Sequence, residues 1–235
     1  MKEGFEVIFC GRNVERGNQV ATETKSHFIK CDVSDPDQVE KMFIEIRERY
    51  HRLDVLFNNA GIAPKVPARL ADIPNENYRQ ILSVNLDGMW YVLKHAIKLM
   101  VEGGNGGRIV NMGSVTGITG CASMIGATHY GTSKSAIVGL TQTAAMEYIP
   151  EKIRINSVAP AAIETDMIRK YFLEAPLEMR EQMTAVLTAT NPMINTIKEL
   201  PKESDVTGVV SFLVGPDAKF INGQTIAIDG GYSIH

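Results

Sequence analysis

Tyr130 and Lys134 have types and spacing that suggest proton transfer, because they stand four residues apart at the start of a predicted helix. Residues at this spacing project from one face of a helix. A phenol has a pKa of about 10, so it exchanges protons poorly at neutral pH, and each unit of lowering requires about 1.4 kcal/mol of preference for the phenolate. A neighbouring ammonium group supplies that preference. The pair therefore predicts a general acid or base.

A second pair with the same spacing, Tyr148 and Lys152, shows that spacing alone is weak evidence. Pro150 lies between these residues and should end the helix, because proline lacks a backbone donor and restricts the residue before it. Tyr148 and Lys152 would then share no helical face. We expect only Tyr130 and Lys134 to act as a unit.

Polar residues also follow two predicted strands and interrupt one predicted helix. Ser114 comes after a strand that ends near Met112, and Asn58 stands at the end of another strand. Open α/β sheets bind ligands at the carboxyl ends of their strands. Asn85 lies within a helical pattern, where asparagine is a poor helix former whose side chain needs a partner. Taken singly, each of these residues is also explained as an ordinary turn residue or as a polar residue without a functional role.

The elements that would position these side chains alternate between short β-rich runs and longer helical patterns. The predicted strands are Phe5 to Cys10, His27 to Cys31, Leu53 to Phe57, Arg108 to Met112, Ile153 to Val158 and Thr225 to Ile228. This alternation predicts an α/β fold with a Rossmann-like, doubly wound parallel sheet and crossover helices.

Two helices carry clear signals at their ends. Asp35, Pro36 and Gln38 occupy the N-cap, first-turn and capping-box positions of a helix that follows the second predicted strand. A longer helical pattern runs from Asn75 to Met100 and is followed by a glycine-rich stretch over residues 103–107. Because this stretch precedes a strand, we interpret it as a turn rather than as a phosphate-binding loop.

Length and composition indicate one soluble domain over residues 1–235. With 44% hydrophobic residues, a chain of this size can build a core without disulfides or structural metals. The net charge of -3, without a basic run, argues against a nucleic-acid partner. The apolar stretches are too short for a membrane span. The three cysteines, Cys10, Cys31 and Cys121, form no CxxC pair and suit a cytoplasmic location.

Several motifs, in this order, resemble the short-chain dehydrogenase/reductase family. They are Asn58-Asn59-Ala60-Gly61, Ile109 to Ser114, Tyr130-x-x-x-Lys134, Arg154 to Pro160 and Gly223 to Gly231. The match runs from about Phe5 to Tyr232. The resemblance implies an NAD(P)-dependent oxidoreductase that interconverts a secondary alcohol and a ketone by hydride transfer, and a homodimer or homotetramer.

The resemblance also implies roles for individual residues. Tyr130 would be the general acid/base, and Ser114 would polarise the substrate oxygen. Lys134 would lower the pKa of Tyr130 and hold the nicotinamide ribose, and Asn85 would hold a water in a proton relay. The implied cofactor contacts are Asp32 and Val33 at the adenine, Ile163 and Thr165 at the carboxamide, and also Asn59, Ala60, Gly61 and Pro160.

The family's first strand and its glycine-rich phosphate turn should precede Phe5, where only residues 1–4 stand. The deficit is one βα unit of about 30 residues, which would remove pyrophosphate donors and part of the core. The strands that flank the gap, Phe5 to Cys10 and Leu53 to Phe57, would either slide together or stay apart. The chain is then either a fragment of a longer product or a remodelled member with weak cofactor binding. A catalytically silent subunit with only an assembly role is the rival hypothesis.

Two further segments bear on cofactor and substrate. Gly11-Arg12-Asn13 follows the first predicted strand without an acidic residue for a ribose 2′-hydroxyl, and Arg12 could pair with a 2′-phosphate, which favours NADP over NAD. A merely solvated Arg12 is the alternative. Residues 166–202 are rich in apolar side chains and resemble the family's substrate lid, which favours a small apolar or cyclic alcohol or ketone. Ordinary amphipathic helices that pack on the body or on a neighbouring subunit are the alternative.

Overall fold

The computed structural model describes residues 4–64, 68–120, 126–165, 185 and 191–234. The strands and α-helices, in chain order, are β1 (Ile8–Gly11), α1 (Val14–Thr24), β2 (His27–Lys30), α2 (Pro36–Tyr50), β3 (Val55–Asn58), α3 (Asn75–Leu82), α4 (Met89–Gly103), β4 (Gly107–Met112), α5 (Thr128–Glu147), β5 (Ile153–Pro160), α6 (Pro192–Ile197), α7 (Glu203–Val214) and β6 (Thr225–Ile228). A π-helical segment, Ser83–Gly88, joins α3 to α4, and short 3-10 turns lie at Leu70–Asp72, Val115–Gly117, Pro216–Ala218 and Tyr232–Ile234.

Every strand pair in the described part of the chain is parallel, which confirms the predicted α/β class. β3, β4, β5 and β6 form one sheet in chain order, and β1 pairs with β2 in a second sheet. Within the described residues β1 and β3 share no ladder of hydrogen bonds. Of the two alternatives left open for the strands that flank the expected gap, the structure therefore shows the second, because β1 and β3 stay apart.

β1 and β3 nevertheless pack on the same core. Ile8 and Cys10 of β1 and Leu56 of β3 contact a buried cluster to which α2 and α4 contribute Phe43 and Val92. β1 is partly exposed along its whole length, whereas β5 is buried at every position except Arg154. Partial exposure of β1 is the result expected for a strand at an open edge.

Helices cover both faces of the four-stranded sheet, as the doubly wound class requires. On one face, Ile109 and Ile155 of β4 and β5 pack against α4 and α5, for example against Ala145. On the other face, Val158 packs against α7, where Leu213 is buried. The two faces together confirm the Rossmann-like architecture predicted from the alternation of strands and helices.

The start of α2 follows the capping pattern expected from sequence. Asp35 Oδ1 accepts hydrogen bonds of 3.0 and 3.2 Å from the backbone N–H groups of Asp37 and Gln38. Gln38 differs from a standard capping box, because its Oε1 accepts a 3.0 Å bond from the backbone N–H of Asp32. The helix start is therefore tied to the end of β2 as well as to its own cap.

The ends of α4 and α5 also agree with the sequence. Gly104 ends α4 with a φ of +66°, which confirms the interpretation of this stretch as a turn. α5 ends at Glu147, so Tyr148 and Lys152 lie outside the helix and do not share one of its faces.

Two expectations concern segments that lie largely or wholly outside the described residues. The predicted substrate lid, residues 166–202, is described only at residue 185 and from Asn191 onward, where it contains α6. The other expectation concerns the loop between Ser114 and Tyr130, which is a few residues longer than is usual in the family that the sequence resembles and should bulge toward the substrate. This loop passes through Cys121, which is also outside the described ranges. Among the helices that are described, none is long and apolar enough to span a bilayer.

Candidate active site

Lys134 lies inside the protein at the carboxyl end of β4. Its Nζ donates a 2.8 Å hydrogen bond to the carbonyl oxygen of Met112, the last residue of β4. Only 3% of Lys134 is exposed. This burial lowers the pKa of Lys134 to about 8, because an ammonium group loses solvation in the protein interior. The side chain therefore still carries its charge near neutral pH.

Tyr130 stands one helical turn before Lys134 on α5. The Lys134 Nζ lies 5.7 Å from the centre of the Tyr130 ring, within the range in which a cation and an aromatic ring attract each other. Tyr130 is half-buried. The structure thus brings the predicted pair together, with the charge beside the phenol.

The π-helical segment places Asn85 against the loop that follows β3. The side chain is fully buried. Its Oδ1 accepts a 2.8 Å bond from the backbone N–H of Ile62, and its Nδ2 donates a 3.0 Å bond to the Ile62 carbonyl. A π-helical turn is a rare feature that often marks a functional position. Here the π-helical turn places the buried Asn85 amide so that both its oxygen and its nitrogen form hydrogen bonds.

Ser133 connects Asn85 to the tyrosine. Its Oγ accepts a 3.3 Å bond from Asn85 Nδ2 and donates a 2.7 Å bond to the carbonyl oxygen of Tyr130. We did not predict this residue. The sequence did contain a signal for it. Ser133 lies between Tyr130 and Lys134 on a helix that must bury one face, and a buried hydroxyl needs hydrogen-bond partners, which another element can supply.

Ser114 follows β4 and is nearly buried, with 8% of its surface exposed. Its Oγ accepts bonds of 3.3 and 3.0 Å from the backbone N–H and the hydroxyl of Thr116. Both bonds use oxygen lone pairs, so the Ser114 hydrogen remains available to a further acceptor. A Cβ at Gly117 would overlap the Lys134 carbonyl oxygen, so the turn after Ser114 packs directly on α5.

The segment after β3 also reaches this site. A Cβ at Gly61 would lie 3.3 Å from Asn85 Oδ1 and 3.7 Å from Lys134 Nζ. Asn58 is buried, and its Nδ2 donates a 3.0 Å bond to the Met89 carbonyl at the start of α4. Asn59 and Ala60 lie between these two positions. The Asn58–Gly61 motif therefore runs beside the buried ammonium group.

Arg12 and Asp32 lie together where β1 and β2 end. Arg12 Nη1 is 3.6 Å from Asp32 Oδ2, and the Arg12 side chain is 64% exposed. The backbone N–H and the hydroxyl of Ser34 donate bonds of 3.0 and 2.7 Å to Asp32 Oδ1. These bonds from Ser34, with a smaller contribution from Arg12, hold the pKa of Asp32 below its usual value.

Val33 joins this end of the molecule to the Asn85 segment. A Cβ at Gly88, the last residue of the π-helical segment, would lie 2.8 Å from Val33 Cγ2 and 3.1 Å from the Val33 carbonyl oxygen. Such a close approach requires glycine at this position. The predicted adenine contacts and the Asn85 segment therefore pack against each other.

The remaining predicted contacts lie at the end of β5 or follow it. The backbone N–H of Gly113 donates a 2.8 Å bond to the Val158 carbonyl, so Pro160, two residues further along, lies near the Ser114 end of β4. Ile163 is buried in the cluster formed with α7. Thr165 is half-buried at the end of the described segment. The contacts of Ile163 connect it to the core rather than to Tyr130.

Comparison with known proteins adds independent evidence. The family model described as enoyl-(acyl carrier protein) reductase matches residues 1–233. A 3beta-hydroxysteroid dehydrogenase of Mediterraneibacter gnavus is 32% identical over an alignment of 252 residues, which covers 100% of this chain and 88% of that protein. A levodione reductase of Leifsonia aquatica is 35% identical over 208 residues, which cover 86% of this chain and 73% of that protein.

Solved structures agree with these relatives. A structure described as ElxO with NADP bound has a TM-score of 0.84 at 30% identity and covers 100% of this chain and 91% of that one. A crystal structure of levodione reductase has a TM-score of 0.86 at 32% identity, with coverage of 99% and 89%. Because the match extends over nearly the whole chain in both sequence and structure, the protein belongs to the short-chain dehydrogenase/reductase family of NAD(P)-dependent enzymes.

Proposed function

We propose that this protein interconverts a secondary alcohol and a ketone, with Tyr130 as the general acid/base. The observation that carries the proposal is the position of Lys134 Nζ, 2.8 Å from the Met112 carbonyl and 5.7 Å from the centre of the Tyr130 ring. Ser114 follows Met112 by two residues. A phenol, an ammonium group and a hydroxyl donor are thus gathered at the end of one strand.

The proton chemistry follows from these three groups. When a ketone is reduced, its oxygen acquires negative charge and needs a proton. Tyr130 donates that proton, and Ser114 donates a hydrogen bond that strengthens as the charge develops. The Lys134 ammonium stabilises the Tyr130 phenolate that remains. When an alcohol is oxidised, the phenolate accepts the proton instead.

The residues around Lys134 fit a nicotinamide ribose. An ammonium group has three donors, and the Met112 carbonyl accepts the 2.8 Å bond from one of them. The remaining two can donate to ribose hydroxyls. Gly61 adds no side chain beside Nζ, which leaves room for the sugar. The cofactor, when bound, supplies or accepts the hydride.

For the cofactor we favour NADP, with NAD as the alternative. The exposed guanidinium of Arg12 can contact a 2′-phosphate bidentately, and Asp32 and Val33 follow β2 where an adenine would lie. The ElxO relative has been solved with NADP, which supports this choice. Arg12 would have to exchange its contact with Asp32 for one with the phosphate.

The proposed substrate is a small apolar or cyclic alcohol or ketone. The levodione reductase and the 3beta-hydroxysteroid dehydrogenase are named for such compounds, and the apolar composition of residues 166–202 agrees with them. We also propose a cytoplasmic homodimer or homotetramer, on the basis of the family and of the cysteine usage.

Activity with a cyclic ketone such as levodione tests the proposal. Protein, NADPH and ketone should together consume NADPH, as followed by its absorbance, whereas omission of the ketone should abolish consumption. Fluorescence titration with NADPH and NADH tests the rival hypothesis. If neither nucleotide binds at millimolar concentration, the chain is a silent subunit with an assembly role and the proposed reaction is excluded.

A further inference from the structure

Cys10 and Cys31 lie side by side where β1 and β2 end. Cys10 pairs with Ile29 in the parallel register, so Cys31, two residues beyond Ile29, faces the same side of the sheet. The backbone N–H of Cys31 donates a 3.0 Å bond to the Gly11 carbonyl. Cys10 also packs against the buried cluster that contains Cys31. Residues far apart in sequence thus form a close dithiol.

The two thiols differ in their surroundings. Cys31 is 1% exposed and belongs to the core cluster formed with α2 and α4. Cys10 is partly exposed on β1, whose other edge pairs with no strand within the described ranges. A small oxidant can therefore reach Cys10 more easily than Cys31.

The pKa values of the two thiols differ as well, and the more exposed Cys10 has the lower one. The neighbouring Cys31 thiol lowers the pKa of Cys10, whereas the Cys10 thiol and burial raise the pKa of Cys31. The thiolate is the reactive form of cysteine. Because Cys10 is also the more exposed of the two, we expect its sulfur to react first and the Cys31 thiol to react second.

We propose that Cys10 and Cys31 are a reversible dithiol/disulfide pair that is oxidised by peroxides. The Cys10 thiolate attacks one peroxide oxygen and becomes a sulfenic acid, the O–O bond breaks, and the departing hydroxide or alkoxide takes a proton to become water or an alcohol. Cys31 then attacks the sulfenic sulfur of Cys10, the S–S bond forms, and water leaves with the Cys31 proton. One peroxide is reduced by two electrons and two thiols are oxidised. A dithiol reductant reverses the change.

Oxidation should also alter nucleotide choice, a consequence that rests on the proposed function. Arg12 follows Cys10 by two residues and Asp32 follows Cys31 directly. A disulfide requires the two sulfurs to approach to about 2 Å, which draws Asp32 toward Arg12. A tighter Arg12–Asp32 contact leaves less of the guanidinium for a 2′-phosphate. We expect the Kd for NADPH to rise at least about threefold on oxidation, and the Kd for NADH to change less.

Peptide mapping tests the disulfide without reference to activity. Native protein is treated with a small excess of hydrogen peroxide, alkylated and digested with trypsin, which releases Cys10 in peptide 3–12 and Cys31 in peptide 31–41. We expect these peptides to be joined, with a loss of about 2 Da for the two thiol hydrogens, and to separate after dithiothreitol. If both remain alkylated after peroxide, or if Cys121 or a second copy supplies the linkage, the proposal is wrong.

Single-cysteine variants distinguish the two sulfurs. Cys121→Ser should form the same linkage as the native protein. Cys31→Ser should form none and should instead trap a sulfenic acid at Cys10 that reacts with dimedone, and Cys31→Ala provides the same test if the serine disturbs the core. A dimedone adduct at Cys31 of Cys10→Ser with none at Cys10 of Cys31→Ser would overturn the proposed order. An unchanged Kd for NADPH in fully disulfide-linked protein would overturn the coupling, whereas absence of binding to the reduced protein would contradict the proposed function alone.

Discussion

Lys134 and Met112 join α5 to the end of β4 through the 2.8 Å bond between Nζ and the Met112 carbonyl oxygen. The bond fixes an ammonium group where almost no water reaches it. The same contact therefore serves two purposes, since it holds the charge beside Tyr130 and anchors the helix that carries both residues.

This burial makes stability depend on pH. The pKa of Lys134 is about 8 in the folded protein and about 10.4 in an unfolded chain. Between these values the unfolded chain binds a proton that the folded protein has lost, so the free energy of unfolding from this group rises with pH, by about 3 kcal/mol in all. Denaturant unfolding of Lys134→Met from pH 7 to 10 should lack this rise, whereas exposed Lys94→Met should retain it. Equal pH profiles for all three proteins would contradict the assignment.

Tyr130→Phe should abolish nearly all turnover while changing the Kd for NADPH little, because the phenol donates a proton but makes few contacts in the ground state. Steady-state kinetics and fluorescence titration measure the two effects. Tyr148→Phe is the matched control, since Tyr148 has the same spacing to a lysine but lies outside α5, and it should be nearly silent. Turnover above about a tenth of the parent in Tyr130→Phe would remove this residue from its role.

Arg12→Ala should raise the Kd for NADPH much more than that for NADH, because only NADPH presents a 2′-phosphate to the guanidinium. Arg108→Ala is a suitable control, since Arg108 is exposed at the opposite end of β4 from Ser114. Equal weakening of both nucleotides by Arg12→Ala would show that Arg12 acts only as a general surface charge.

Asn85→Ala should lower the free energy of unfolding by about 2 kcal/mol or more, because it removes a fully buried amide and leaves the partly buried N–H and carbonyl of Ile62 without their partner. Asn105→Ala removes an exposed bond to the Gly103 carbonyl and should cost less than about 0.5 kcal/mol. Urea titration measures both values. A similar small loss in the two variants would mean that Asn85 does not hold the loop after β3.

Hydrogen exchange should separate the two sheets. Amides of β1 should exchange before those of β4 and β5, because β1 belongs to a two-stranded sheet with an open edge and is partly exposed. Mass spectrometry of peptides from native protein measures the rates. Equal protection of β1 and β5 would show that the short sheet unfolds only together with the rest of the molecule.

Sequence reasoning succeeded where chemistry is local. Asp35 caps α2 because its carboxylate reaches backbone groups only two and three residues away, and Pro150 separates Tyr148 from Lys152 because proline acts on its own turn. The position of Lys134 relative to Tyr130 likewise follows from helical spacing. Each of these predictions depends on no residue outside one helix.

Long-range features could not be read in this way. The π-helical segment exists where Asn85 finds the Ile62 backbone and the Ser133 hydroxyl, partners 23 and 48 residues away. The separation of β1 from β3 is a matter of which strands pair with each other. The apolar sequences of these two strands do not determine their pairing partners. The pairing of Cys10 with Cys31 arises from the register of β1 and β2, which spacing along the chain does not reveal.

The open edges of β1 and β3 have a consequence for the protein at high concentration. The segments Ile8–Gly11 and Val55–Asn58 hold apolar and β-branched side chains without a proline or a charge, and natural proteins usually protect such edges with lysine, proline or a covering loop. Within the described part of the chain neither edge is paired on its open side. We expect warmed or concentrated samples to aggregate by intermolecular strand pairing that begins at these two segments.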